Sequence, residues 1–168
     1  MKLIPFSHSH FSELASWFSC ERDVVQWGGT LVSFPLDISQ LKVMLDEGVG
    51  CSPARICWMA ESKGILVGHA QLGIDYRNGN ATLSRVAVKP SVRGQGLTNS
   101  MLSLVIDEAF AIPGVLRVEL NVYDWNTPAI KVYERLGFVR EGLRRSSARV
   151  ADERWNTAIM GILRDDWR

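Results

Sequence analysis

Leu83-Ser84-Arg85-Val86-Ala87-Val88-Lys89-Pro90, continued after two residues by Arg93-Gly94-Gln95-Gly96-Leu97-Thr98, is the stretch whose reading decides the fold. Its first part is a short apolar strand, which Lys89-Pro90 terminates because proline brings no N–H to a ladder. The second part is a tight corner, and an amphipathic helix follows it with Leu97, Met101, Leu104, Val105 and Ala109 at helical spacing. Gly94 and Gly96 let the backbone take dihedrals closed to other residues and let a ligand approach the main chain. The first amides of a helix lack partners within it and lie at the positive end of its dipole. Strand, glycine corner and helix start therefore make an anion cradle with Arg93 beside it, or else a plain connection whose glycines only turn the chain. A P-loop is excluded because Leu97-Thr98 follows Gly96 where Lys-Ser/Thr is needed. A dinucleotide fingerprint is excluded because Asn99 stands where its third glycine belongs.

A second stretch decides between these. Asn126-Thr127-Pro128-Ala129-Ile130-Lys131-Val132-Tyr133-Glu134-Arg135-Leu136-Gly137-Phe138 carries a good N-cap in Asn126, a first-turn proline and a glycine stop. Val88-Lys89-Pro90 with Arg93-Gly94-Gln95-Gly96-Leu97, then Asn126, Ala129, Tyr133 and Leu136-Gly137-Phe138, resembles the GNAT (GCN5-related) N-acetyltransferase family. The two blocks span residues 81 to 138, and their pairing at this spacing is more specific than either block alone. Thr98 departs from the Gly or Ala usual in the family corner, adding bulk and a hydroxyl donor beside the expected pyrophosphate. The order Trp17, Asp23, Trp27 through Pro35-Leu36, with the ending Met160 to Trp167, is similar more loosely to the Rim-type and polyamine branch.

The 168 residues suit one domain, 1–168, and 46% hydrophobic with 22% charged residues is a globular composition. Nineteen basic against eighteen acidic side chains leave +1, so bulk charge points to neither nucleic acid nor an anionic membrane. Cys20, Cys51 and Cys57 are odd in number and lack metal or redox spacing, which suggests reduced thiols and a cytoplasmic setting. No cationic stretch followed by an apolar run opens the sequence, and no segment reaches the roughly 18 apolar residues of a membrane span.

Taken in order, the chain predicts a strand at Lys2 to Phe6 and a helix from about Ser9 to Cys20 on the stripe Phe11, Leu14, Ala15 and Phe18. Residues 21 to 36 read as irregular. Asp37 and Gln40 resemble a capping box, opening a helix with Ile38, Leu41, Met44 and Leu45 on one side. Three strands, Arg55 to Glu61, Ile65 to Asp75 and Ala81 to Val88, are joined by hairpin turns at Ser62-Lys63-Gly64 and Asn78-Gly79-Asn80. After the helix beyond Gly96 come a strand from Val115 to Val122, the Asn126 helix, and strands Phe138 to Arg145 and Arg154 to Leu163. The expected fold class is α/β with a mixed (α+β) sheet, in the order β-α-α-β-β-β-α-β-α-β-β. The family resemblance implies the same order. It also implies that the strands ending near Val88 and starting near Val115 splay apart.

What the resemblance implies about function is specific. The co-substrate is acetyl-CoA, its pantetheine arm held by main-chain groups of Val86, Ala87 and Val88 and its pyrophosphate by Arg93, Gly94, Gln95, Gly96, Leu97 and Thr98. Asn126, Ala129 and Tyr133 line the same arm. Tyr133 matches the tyrosine that protonates the departing thiolate, and a phenol with an ordinary pKa near 10 stays protonated at neutral pH. On the residues alone, Tyr133 is equally a core aromatic sharing a face with Ala129 and Leu136. Some relatives carry a glutamate base at the position of Asn121; Glu119, two residues earlier on the same strand face, is the candidate here. Asp75, Asp124 and Glu61 are weaker candidates, and His69 in a strand pattern is a base or a structural histidine. Residues 21 to 36 with Trp27, and the closing hairpin, are expected to form the acceptor's lips, with Tyr76 and Trp125 along them. Arg144, Arg145, Arg149 and Arg154 form a basic run, either a solvated face or a docking surface for an acidic acceptor. No metal-ligand cluster is visible. The implied activity is acetyl transfer to a primary amine, a protein N-terminus or a small amine such as a polyamine, by a monomer or homodimer. The rival is a non-catalytic acyl-CoA-binding sensor.

Overall fold

The computed structural model describes residues 1–167. Strand β1 (Lys2–Pro5) leads through a 3₁₀ turn (His8–His10) into α1 (Phe11–Ala15), α2 (Glu21–Gly28) and α3 (Ile38–Asp46). A meander of β2 (Arg55–Ser62), β3 (Ile65–Asp75) and β4 (Asn80–Val88) follows. Helix α4 (Leu97–Ala111), β5 (Arg117–Tyr123), α5 (Thr127–Arg135), β6 (Val139–Val150) and β7 (Glu153–Leu163) complete the order. The strands form one sheet ordered β1-β2-β3-β4-β5-β7-β6, and only the β4/β5 pair is parallel. That single parallel pair follows from the crossover through α4, because a helical return brings the next strand back in the same direction. The expected mixed α/β fold is the observed one.

Local chemistry explains most boundaries. Lys63 and Gly64 turn the β2–β3 hairpin with φ of 52° and 76°, the positive pair that matches strand twist. Asp37 caps α3 by accepting from the Gln40 amide at 2.9 Å. The return half of the expected capping box is absent: the Gln40 amide group reaches back to Ser33 and Pro35 and pins the preceding loop. Among the described residues no helix is long and apolar enough to cross a membrane.

Two cores sandwich the sheet. On one face α4 buries Met101, Leu102, Val105, Ile106 and Phe110 against Leu72, Leu83, Leu120 and Met160, with α5 adding Ile130 and Tyr133. On the other face α1, α2 and α3 bring Phe11, Leu14, Val24, Trp27, Leu41 and Met44 against Cys57, Met59 and Ala87. Leu102 is wholly buried, and truncating it to Ala is expected to cost about 2–5 kcal/mol.

Three expectations need correction. Residues 21 to 28 are helical, not irregular: α2 seats Val24 and Trp27 in the second core and Val25 against Ala148, Val150 and Trp155 of the last hairpin. The first helix ends at Ala15, where the chain turns through Ser16 and Trp17 to bury Phe18. Strand β6 runs to Val150, beyond Arg145, because β7 pairs with it as far as Val150–Glu153.

Candidate active site

The site begins with a break in strand register. β3 pairs with β4 as His69–Ala87 and then as Gln71–Ser84, so Arg85 and Val86 together oppose one residue. Arg85 takes φ 50°, and this β-bulge reverses which residues face which core. Before it, Ala81 and Leu83 pack on the α4 side. After it, Val86 and Val88 pack there, while Ala87 turns to the opposite side. The parallel pairing of β4 with β5 ends at Leu83–Leu120, so the two strands part from the bulge onward.

That parting leaves a main-chain edge. The Lys89 amide donates to the Val67 carbonyl on β3 at 2.9 Å. Antiparallel alternation then turns the N–H and C=O of Val88, and of Val86 two residues earlier, toward the gap on the β5 side. The Val88 carbonyl accepts from Arg93 Nε at 3.1 Å, which fixes that guanidinium at the gap's rim. Beyond it, Gly94 and Gly96 have φ of 79° and 74°, and a Cβ on either would meet nothing within 4 Å. Gly96 N-caps α4 without a side-chain bond, and no acidic residue occupies the first turn. The first amides of a fifteen-residue helix thus face open space beside a fixed arginine, and an anion such as a diphosphate fits there.

Across the gap, Asn126 caps α5 through its Oδ1, which accepts from the Ala129 amide at 3.4 Å. The helix carries Tyr133 to the cavity wall, its ring edge-on to Phe138 with centroids 5.8 Å apart. Burial pushes the phenol up to about 12. The Tyr133 hydroxyl makes no hydrogen bond to another described residue.

A cavity of about 1060 Å³ joins these parts. Among the residues expected at the site, Val86, Ala87, Val88, Arg93, Thr98, Asn126, Ala129, Tyr133 and Trp27 line it together. Gly94, Gln95, Gly96 and Leu97 form the corner just outside its wall. The others lie elsewhere. Glu119 is on the β5 face opposite Leu120, bound to Arg117 at 3.1 Å within an Arg117–Glu141 network, and does not line the cavity. Tyr76 is exposed and donates to the Pro53 carbonyl. Trp125 stacks on Tyr123, meets Trp155 edge-on and receives Arg22 over its ring. His69 is fully buried beside Gln71, and burial lowers it to about 3, so it stays neutral in the core.

Sequence reading names Trp27 but misses other wall residues. Trp27 Nε1 donates to the Arg85 carbonyl at 2.7 Å, locking α2 to the bulge. Arg85, Arg55, Asp23 and Asn121 also line the cavity. Arg144 joins them, donating to Asn121 Oδ1 at 2.8 Å. The advance signs were the basic run that contains Arg144 and a charged residue at position 85, where strict alternation from Leu83 would have placed it in the core.

Comparison with known proteins agrees with this geometry. A model of the acetyltransferase (GNAT) family matches residues 13–138. Spermine/spermidine N(1)-acetyltransferase of Bacillus subtilis is 29% identical over 114 residues, 62% of this chain and 72% of that one. [Ribosomal protein bS18]-alanine N-acetyltransferase of Escherichia coli is 38% identical over 82 residues, 49% of this chain and 55% of that protein. The fold superposes with TM-score 0.83 at 18% identity on spermidine N-acetyltransferase from Vibrio cholerae in complex with CoA and spermine, covering 98% of this chain and 96% of that one. The parted strands and the glycine corner are therefore those of a known architecture, and the chain belongs to the acetyltransferase (GNAT) family as an acetyl-CoA-dependent acyltransferase.

Proposed function

We propose that this chain moves the acetyl group of acetyl-CoA to a primary amine, of a small molecule or of a peptide N-terminus, by direct attack in a ternary complex. The observation that carries the reading is the pairing, across one cavity, of an open main-chain edge at Val86–Val88 with the unengaged hydroxyl of Tyr133. Acetyl-CoA supplies an acetyl thioester, whose carbonyl carbon the amine attacks and whose sulfur departs. The corner from Arg93 to Thr98 and the first α4 amides hold the diphosphate. Amides of Val86 and Val88 orient the arm and donate to the developing oxyanion, each such donor contributing about 3–4 kcal/mol. Fixing both reactants in one cleft contributes a further ~7–11 kcal/mol by removing their freedom of motion.

Tyr133 gives its proton to the departing sulfur and regains it from solvent. Asp23 is the one carboxylate among the described wall residues, and hydrogen bonding from Ser19 holds it below its ordinary range, so it suits an ammonium partner better than a base. We assign no protein base; the attacking nitrogen loses its surplus proton to water as the amide forms. Glu119, tied to Arg117, is not given that role. The free thiols of Cys20, Cys51 and Cys57 support a reducing, cytoplasmic setting.

Thiol release from acetyl-CoA, measured against a panel of amines and peptides, tests the reading. Turnover with at least one amine is expected. Thermal stabilisation by coenzyme A with no thiol released across the panel would support the sensor instead.

A further inference from the structure

Three arginines enter the cavity from three strands on the sheet face opposite α4: Arg55 of β2, Arg85 of β4 and Arg144 of β6. Arg55 is neutralised by Glu47. The other two hold only neutral amides. Arg85 Nη1 donates to Gln71 Oε1 at 3.0 Å, and its buried Nε has no hydrogen-bond partner among the described residues. Arg144 Nη2 donates to Asn121 Oδ1 at 2.8 Å. Neither forms an ion pair with a described carboxylate. Of the nearby acids, Glu119 is paired with Arg117 and Asp124 accepts from the Asn156 amide at 2.9 Å, while Asp23 on α2 keeps its charge for the acceptor's ammonium.

The partly buried Arg85 guanidinium without an anion is costly, and the exposed Arg144 guanidinium lines the same cavity. A polyamine brings only more positive charge to such a wall. A carboxylate brings the missing partner, and arginine's planar fork suits its two oxygens. We infer that the acceptor amine carries a carboxylate received between Arg85 and Arg144, with Gln71 and Asn121 orienting the two forks. Calling this end the acceptor's entrance rests on the transfer reading above; calling it an anion site does not. The basic run noted in the sequence thereby divides, with Arg144 turned to the cleft and Arg154 bonded to Ser146 at the hairpin's own bend.

Titration calorimetry on the full chain saturated with coenzyme A separates the possibilities without requiring turnover. The probes are two matched pairs, alanyl-glutamate amide against alanyl-glutamine amide, and 4-aminobutyrate against n-butylamine, with spermidine alongside. The acid member of at least one pair should bind about 10- to 100-fold more tightly than its neutral match, the range of a charge-assisted hydrogen-bond pair. Which pair responds tells an acidic peptide from a small amino acid. Arg144→Gln should erase most of that preference; it is the chosen variant because Arg85 also anchors the bulged strand. Equal affinity within both pairs, tighter binding of spermidine than of either acid, or no binding by any probe overturns the anion site. If an acid probe binds but no amine releases thiol, the transfer reading falls and the anion site stands.

Discussion

Replacing Tyr133 by Phe removes one oxygen and leaves the packing in place. The ring is 8% exposed and edge-on to Phe138, and its hydroxyl has no hydrogen bond among the described residues to lose. Folding stability at pH 7 should therefore change by less than about 1 kcal/mol, below the usual cost of breaking a satisfied pair. Turnover should drop on the order of 10²-fold, the lower end of a general acid's contribution, while coenzyme A affinity holds. The same hydroxyl leaves a second trace at high pH. Its folded value of about 12 exceeds the 10.0 of a free phenol because burial disfavours the phenolate. A raised folded pKa means stability is intact below pH 10 and drains as pH climbs toward 12. At about 1.4 kcal/mol per unit this amounts to ~2 kcal/mol lost between pH 10 and 11.5. Urea melts of both proteins over that window isolate the effect, since every other alkaline group titrates in both. The wild type should lose ~2 kcal/mol more than the variant. Unchanged kcat in the variant would remove Tyr133 from the acid role, and parallel alkaline losses would refute the buried, neutral phenol.

Gly96→Ala should cost about 1–2 kcal/mol, the penalty for a Cβ in the left-handed region, and weaken coenzyme A binding; chemical denaturation and calorimetry read the two effects. Asn126→Ala removes the α5 cap and should lower stability by about 1 kcal/mol in a urea melt, with a rise in KM for acetyl-CoA. Glu119→Gln should leave kcat and its pH profile unchanged, and alter stability by less than ~1 kcal/mol because the Arg117 pair is partly exposed. A lost acidic limb in that profile would restore Glu119 as the base.

The parts legible in the sequence are those set by stereochemistry over a few residues. Gly94 and Gly96 both take the positive φ that only glycine adopts freely, and Asn126 and Asp37 cap the helices they precede. Helix α2 was hidden because its N-cap is Cys20, which makes no side-chain bond, and its interior holds the β-branched pair Val24-Val25. Tertiary burial of Val24, Val25 and Trp27 makes it a helix, and its local signs, that apolar stripe with Glu21 and Asp23 in the first turn, extend over barely two turns. Glu119 lost its candidacy through Arg117 and, beyond it, Glu141 on another strand. Arg144 gained its place through Asn121, across 23 residues of sequence.

Both halves of the site trace to one extra residue. Leu83 and Val86 lie on the same core face with Ser84 and Arg85 between them, a spacing of three that a regular strand cannot provide. The bulge absorbs the surplus, and three consequences follow. Pairing with β5 stops at Leu83, which opens the gap for an acyl chain. The later main chain turns its polar groups at Val86 and Val88 into that gap. The Arg85 carbonyl is left to accept from Trp27, so α2 closes over the opposite end while the Arg85 side chain enters the cleft. Removing the surplus by deleting Ser84 would let β4 continue in register with both neighbours. A regular strand would then zip to β5 beyond Leu83, closing the gap and engaging the main-chain groups of Val86 and Val88 in the ladder while their side chains stay on the α4 face. Such a deletion should abolish coenzyme A binding, whereas Ser84→Ala, which keeps the residue count, should preserve it.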